Sequence, residues 1–279
     1  MRRRLRYPSP VDAAHLHDLL PDADYEFTFK VRPGTLSAFY GSAADDAAVL
    51  EERRRTVREF PRRHLLLDPV ARAALRELVD QMSDLGLLPQ PSGDDAFLWL
   101  SDHLAPDVLL LLPDDRGRPC LRAAAVCFPS GWAPEEKFGL PLAAIHDVVP
   151  ELNAVLGDRI HGFLQRIKPG ALYLRENWGF AASSQRNLHP VLPRSPLHVP
   201  LDPEHVWFRV ERQAFHRLPH SGAVVFGIRL EIVSLVVFRE RFPGHVQGLI
   251  RGLQTMPPAM ASYKGVADVR DAVADWLRG

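Results

Sequence analysis

Apolar positions recur at helical spacing in two stretches of the chain. Leu75, Leu78, Val79, Met82 and Leu85 share one face until Gly86, which predicts an amphipathic helix stopped by glycine. After Pro150, the positions Leu152, Val155, Leu156, Ile160, Phe163, Leu164 and Ile167 form a second stripe, ended by Pro169-Gly170. Elsewhere the apolar runs are short and bounded by turn residues, the pattern of strands. Phe97-Leu98-Trp99-Leu100, residues 108–112 and residues 121–128 read as three strands, with Pro113-Asp114-Asp115-Arg116-Gly117 as turn chemistry between the last two. Three further strands follow at 171–180, 205–215 and 223–237, and two short helices at 244–253 and 266–277 close the sequence.

Residues 1–60 read as an irregular N-terminal extension with one strand at Tyr25-Glu26-Phe27-Thr28-Phe29, and residues 61–279 as one domain. The mixed-charge run at 51–63 reads as a solvated helix face. Residues 129–150 form a long, proline-punctuated connection carrying Trp132, Lys137 and His146, and residues 183–203 a Pro/His/Ser-rich loop. Blocks of strands separated by one helical segment predict an α+β fold with an antiparallel sheet packed by helices. A doubly wound nucleotide fold would need alternating βα units with a glycine-rich first turn, and the sequence has none.

Composition narrows the function classes. Lys plus Arg and Asp plus Glu are 34 each, so the basic excess typical of nucleic-acid binders is missing. Prolines number 25 in 279 residues, close to twice the usual share of roughly 5%. That proportion implies stiff connections and frequent helix stops. Two cysteines, Cys120 and Cys127, are too few for a four-thiolate zinc site, an iron–sulfur cluster or a disulfide framework. Tyr7-Pro8-Ser9-Pro10 follows the basic N-terminus where a signal peptide needs an apolar run, and no run approaches the ~20 residues that span a bilayer. The expectation is a soluble cytoplasmic protein without a membrane partner.

Walker, GxGxxG, GxSxG and HExxH fingerprints are absent. Ser221-Gly222 falls in a hairpin turn, without the strained elbow of a nucleophilic serine. Of the twelve histidines, His15, His17, His161, His216 and His220 read as solvent-facing, and His64, His103 and His245 stand singly at element ends. His189, His198 and His205 have no zinc spacing. His146 differs, because apolar residues flank it on both sides at a helix entrance. Such a histidine suits either a buried structural role or axial ligation of a haem iron. In Trp207-Phe208-Arg209-Val210-Glu211-Arg212-Gln213, alternation puts Arg209, Glu211 and Gln213 on one face and Phe208, Val210 and Arg212 on the other. The polar face either meets solvent or lines a pocket. Tyr173, Arg175 and Asn177 share a face in the same way, with Trp178 directed to the core.

Taken in order, several segments resemble one family. They are Cys127-Phe128-Pro129-Ser130-Gly131-Trp132, Glu136-Lys137-Phe138-Gly139, Ile145-His146-Asp147-Val148-Val149-Pro150, Arg175 with Asn177-Trp178, Glu211-Arg212-Gln213, Arg217-Leu218-Pro219, Ser221-Gly222 and Ile228-Arg229. Over residues 60–255 the series resembles the haem-dependent oxidative N-demethylase alpha-subunit-like family. The resemblance implies a PAS-like antiparallel sheet with flanking helices enclosing haem b. It also implies O2-dependent demethylation of a small amine, with electrons from an external flavin/iron–sulfur reductase acting as redox partner, and it is compatible with an oligomer. His146 becomes the implied proximal ligand, with Lys137, Arg175, Asn177 and Trp178 toward the cofactor. Glu211 and Arg212 are implied in the distal pocket, and Arg209 and Tyr173 are further candidates there. Two departures stand out: Leu230-Glu231 replaces the family-like Thr-Tyr, and Val148 replaces a proline in the segment after His146. A haem or gas sensor and a structural subunit of an oxidase complex are the alternative readings.

Overall fold

The protein is described by a computed structural model covering residues 11, 13–41, 46–91 and 95–279. Seven strands are present among these residues: β1 (Arg32–Gly34), β2 (Leu65–Leu67), β3 (Asp107–Pro113), β4 (Pro119–Ala125), β5 (Leu172–Ala181), β6 (Trp207–Arg217) and β7 (Val224–Ser234). They form a single sheet in the order β1-β5-β6-β7-β3-β4-β2, with every neighbouring pair antiparallel. Together with the helices this is an α+β fold. The predicted strands at 108–112, 121–128, 171–180, 205–215 and 223–237 correspond to the five long members, β3 to β7. The last ends three residues early, because the Ser234 side chain accepts from the Val237 amide at 3.3 Å and starts the helix Leu235–Arg241.

Both helices inferred from periodicity are present, as Arg72–Asp84 and Leu152–Arg166, and they pack on opposite faces of the sheet. Leu156, Ile160 and Leu164 cover one face with Leu109, Leu111, Leu121 and Phe215. Leu75, Leu78, Val79 and Met82 cover the other with Leu110, Ala214 and Val225. At the far end of that second face, Trp178, Phe180, Phe208 and Val233 pack against the C-terminal helices.

Four readings change. Phe97-Leu98-Trp99-Leu100 belongs to the helix Ala96–His103, not a strand. A four-residue apolar run fits either state, and Asp95 decides it by accepting from the Phe97 and Leu98 amides at 3.1 and 3.0 Å. The Tyr25–Phe29 alternation is real in burial but forms no strand; Phe29 is buried against the sheet face while Glu26 is exposed. The lead-in contains the helices Ala13–Leu19, Leu36–Tyr40 and Asp46–Glu59. His216, expected at the surface, is 2% exposed. Its alternation partners Arg212 and Ala214 put it on the face covered by the helix Arg72–Asp84 and by Tyr40.

Among the described residues no helix is long and apolar enough to cross a membrane.

Candidate functional site

One cavity of about 1930 Å³ lies between the sheet and the helix Leu152–Arg166 and continues round the free edge of β5 toward the C-terminal helices. Ligand pockets usually measure about 300–1,000 Å³, so this one has room for a large cofactor and a substrate together. Its sheet wall is one alternating face: Arg175 and Asn177 from β5, Arg209, Glu211, Gln213 and Phe215 from β6, Phe226 and Ile228 from β7. The opposite wall comes from Leu142, Ile145, His146, Leu152, Ile160 and Leu164. The segment 25–29 also lines the cavity.

His146 ends the short helix Leu142–His146, and the Asn153 side chain holds the turn after it by donating to the Ala143 carbonyl at 2.8 Å and to Asp147. Glu151, with φ +60°, lets the chain reverse into the next helix. Burial, reinforced by the nearby Arg175 guanidinium, pushes the His146 pKa down to about 4. The imidazole is therefore neutral at pH 7, the form that ligates a metal. Among the described residues neither of its ring nitrogens has a hydrogen-bond partner.

Asn177 and Glu211 are directly paired across β5 and β6. The Glu211 carboxylate accepts from Gln213 Nε2 at 3.0 Å and, more loosely, from Asn177 Nδ2 at 3.5 Å. Arg209, 3% exposed, donates to the carbonyls of Gln185 and Arg186 at 2.7 and 2.9 Å and to Ser130 Oγ at 3.3 Å. It thereby fastens the loop 183–203 to the sheet, and its desolvation lowers its pKa to about 10. Lys264 sits at the free edge of β5, where its ammonium donates to Asn177 Oδ1 at 3.2 Å and the Trp178 carbonyl at 2.5 Å. Burial lowers its pKa to about 8.

The cavity thus brings together His146, Lys137, Arg175, Asn177, Trp178, Arg209 and Glu211. Arg212 lies on the other face of the sheet, paired with Glu231 at 3.5 Å. Tyr173 shares the face of Arg175, but its ring packs on Phe163 at 5.3 Å outside the cavity wall. Glu231, in place of the family-like tyrosine, is also on the far face, so that departure does not touch the cavity. Lys264, Tyr25 and Tyr263 were not singled out from the sequence. Only the alternation at 25–29 hinted at one of them, because a lysine in a C-terminal helical segment has no local signature.

Several motif residues turn out to build the walls. The Asp107 carboxylate accepts from the Cys127 and Phe128 amides at 2.8 and 3.0 Å. Gly131 turns the chain with φ +87° so that Trp132 reaches the cavity. Arg217 donates to the carbonyls of Leu164, Ile167 and Gly222 and pins the helix end to the hairpin.

The residues fit a haem. The cavity is large and has an apolar helix wall, the sheet wall adds Phe215, Phe226 and Ile228 beside its polar residues, and His146 presents an uncommitted imidazole from the apolar wall; cations stand at Lys137 and Arg194. Among the described residues no group of three or more His, Cys, Asp or Glu side chains is arranged to hold a metal ion, but a haem iron asks the protein for only an axial ligand.

The fold is therefore of the α+β class, an antiparallel sheet with one large cavity whose sheet wall carries charged side chains. The family model described as haem-dependent oxidative N-demethylase, alpha subunit-like, matches residues 87–274, more than half of the chain. The protein belongs to that family.

Proposed function

We propose that the cavity binds haem b through His146 and that the protein oxidatively demethylates a small amine. The observation that carries this reading is the placement of an uncommitted imidazole and a hydrogen-bonded carboxylate, Glu211, on the walls of one cavity. The order of the five long strands and the helical connection between β4 and β5 support a PAS-like description of the sheet. Bound haem would supply O2 activation and single-electron chemistry.

The overall change inserts one oxygen atom into a methyl C–H bond next to nitrogen. An N-methyl amine, O2, two electrons and two protons give the N-hydroxymethyl amine and water. The N-hydroxymethyl compound then loses formaldehyde, its C–N bond breaking and the nitrogen gaining a hydrogen. The electrons come from an external flavin/iron–sulfur reductase, since Cys120 and Cys127 are both buried and no dinucleotide fingerprint is present.

This chain's residues bind and orient. Glu211, held by Gln213 and Asn177, accepts N–H bonds from a protonated amine, and restricting the amine's orientation is itself catalytic. Arg209 is tied to the loop 183–203 and fixes that wall. Phe27 and Phe29 close the cavity toward the N-terminal segment and exclude water.

The test is an absorption spectrum of haem-supplemented protein, ferric and then reduced under carbon monoxide, beside His146→Ala. A Soret band that shifts with carbon monoxide, responds to amines and disappears in the variant is expected. An unchanged band in His146→Ala, or none in the wild type, overturns the reading; a band indifferent to every amine supports a sensor.

A further inference from the structure

We propose that the substrate of this site carries a carboxylate as well as its amine, as an N-methyl amino acid does, and that Arg175 receives the carboxylate. The proposal rests on the amine-oxidising reading and names the substrate class within it.

The charge balance around Glu211 motivates it. Three cations face this one carboxylate: Arg175, Arg209 and Lys264. Two of them are committed, Arg209 to the carbonyls of Gln185 and Arg186 and Lys264 to Asn177 Oδ1 and the Trp178 carbonyl. Arg175 is not. Among the described residues its guanidinium has no hydrogen-bond acceptor and no ion-pair partner, and it rests only over the Phe29 ring, 5.3 Å from the centroid. The neighbouring Glu176 points to the opposite face, where Arg32 holds it through two bonds of 2.5 and 2.6 Å. A guanidinium with five donors, none of them bonded to a described protein acceptor, on the wall of a cavity is suited to receive a carboxylate there.

A dialkylammonium ion gives Glu211 a partner but leaves Arg175 without one. A zwitterion adds no net charge and satisfies both Glu211 and Arg175. The spacing suits it: Arg175 pairs with Gln213 and Asn177 with Glu211, so Arg175 and Glu211 are diagonal neighbours on one face. Such positions stand about 7–8 Å apart at the backbone. A molecule whose ammonium and carboxylate are two bonds apart can lie between two long side chains so placed. The planar fork of arginine matches a carboxylate through two parallel hydrogen bonds.

Haem itself carries carboxylates, and the experiment separates the two sources. Haem-loaded protein is titrated with N-methylglycine and with dimethylamine while the Soret band is followed, in the wild type, Arg175→Gln and Arg175→Lys. The expected result is that N-methylglycine binds about tenfold more tightly than dimethylamine or better. Arg175→Gln removes that preference at unchanged haem content, and Arg175→Lys restores part of it. Equal or tighter binding of dimethylamine overturns the proposal. So does an Arg175→Gln variant that keeps both haem and the preference; where the variant loses haem, calorimetry of the haem-free proteins is the reading, and an undiminished preference there overturns the proposal because the arginine then serves the cofactor. If the wild type shows no Soret band, the amine-oxidising reading fails separately. Calorimetry of the haem-free protein with the same two probes then decides: N-methylglycine binding that disappears in Arg175→Gln upholds the anion site, and no discrimination overturns it.

Discussion

Glu211 and Arg212 are adjacent in the chain and lie on opposite faces of the sheet. Glu211 faces the cavity beside Gln213 and Asn177. Arg212 crosses to a polar band in which Glu176, Arg212 and Arg229 occupy directly paired positions on β5, β6 and β7. That band separates two apolar clusters and is covered by the N-terminal segment: Arg32 binds Glu176, Asp46 binds Arg229 at 2.6 Å, and His15 lies 3.7 Å from Glu231. The two residues therefore respond differently to substitution. Glu211→Gln is expected to weaken the amine-induced Soret shift about tenfold with little loss of stability, since one charge-assisted hydrogen bond is lost. Arg212→Met is expected to leave that shift unchanged and to cost about 3 kcal/mol, because buried Glu231 then keeps only His15, 3.7 Å away, beside it. Amine titration and urea unfolding of both variants check this, and a weakened amine response in Arg212→Met would count against it.

Arg53 and Asp107 form an ion pair in which both side chains are almost fully buried, 1% and 3% exposed. Asp107 also receives the Cys127 and Phe128 amides, so it fixes the turn that leads to Ser130 and Trp132 on the cavity wall. Asp107→Ala is expected to destabilise the fold by about 3–5 kcal/mol. Arg53→Met should cost a comparable amount, and the double variant much less than the sum. A double-mutant cycle by chemical denaturation measures it. Additive losses would mean the two charges do not act as a pair.

His216 gives the protein an acid-sensitive term. Burial holds its imidazole neutral and pushes its pKa down to about 4, and among the described residues neither ring nitrogen has a hydrogen-bond partner. In the unfolded chain the same group takes up a proton near pH 6.5. Between those values the unfolded state binds more protons, so this contribution is complete above about pH 6.5 and is lost as the pH falls toward 4. From pH 7 to pH 5 the loss from this residue is about 2 kcal/mol. His64, whose pKa burial also lowers, acts in the same direction. Urea midpoints at the two pH values, for wild type and His216→Phe, provide the check; a variant with an undiminished pH slope would remove His216 from the account.

Gly248 sits where the helix Pro243–Thr255 meets the N-terminal segment. A Cβ placed there would come within 2.2 Å of the Leu20 carbonyl oxygen, a backbone atom that cannot rotate away. Gly248→Ala is expected to lift residues 13–21 from the helix at a cost of about 1–3 kcal/mol. Because residues 17–32 line the cavity, the same variant should release haem faster. Transfer of haem to an acceptor protein and limited proteolysis of the N-terminal segment follow both effects. Wild-type rates in each would show that the contact is not needed to close the cavity.

Legibility differed between local and long-range features. The stripes in Arg72–Asp84 and Leu152–Arg166 and the alternation in β5 and β6 were readable, because side-chain direction along one element repeats with a fixed period. The same alternation already separated Glu211 from Arg212. The segment Phe97–Leu100 was misread, since a short apolar run carries no period and one capping carboxylate, Asp95, chose the helix. His216 was misplaced for another reason: whether a hairpin end is exposed depends on what packs over it, here Tyr40 from far up the chain.

Sequence by itself determined the α+β class, the faces of the strands, the ordered motifs that mark the family, and His146 as the residue to watch. Only the tertiary structure decided which of those faces enclose space. It put His146, Arg175 and Glu211 around one cavity, sent Arg212 behind the sheet and brought Lys264 to the open edge of β5. The reason is physical: periodicity fixes direction within an element, whereas burial, charge pairing and desolvation arise between elements far apart in the chain.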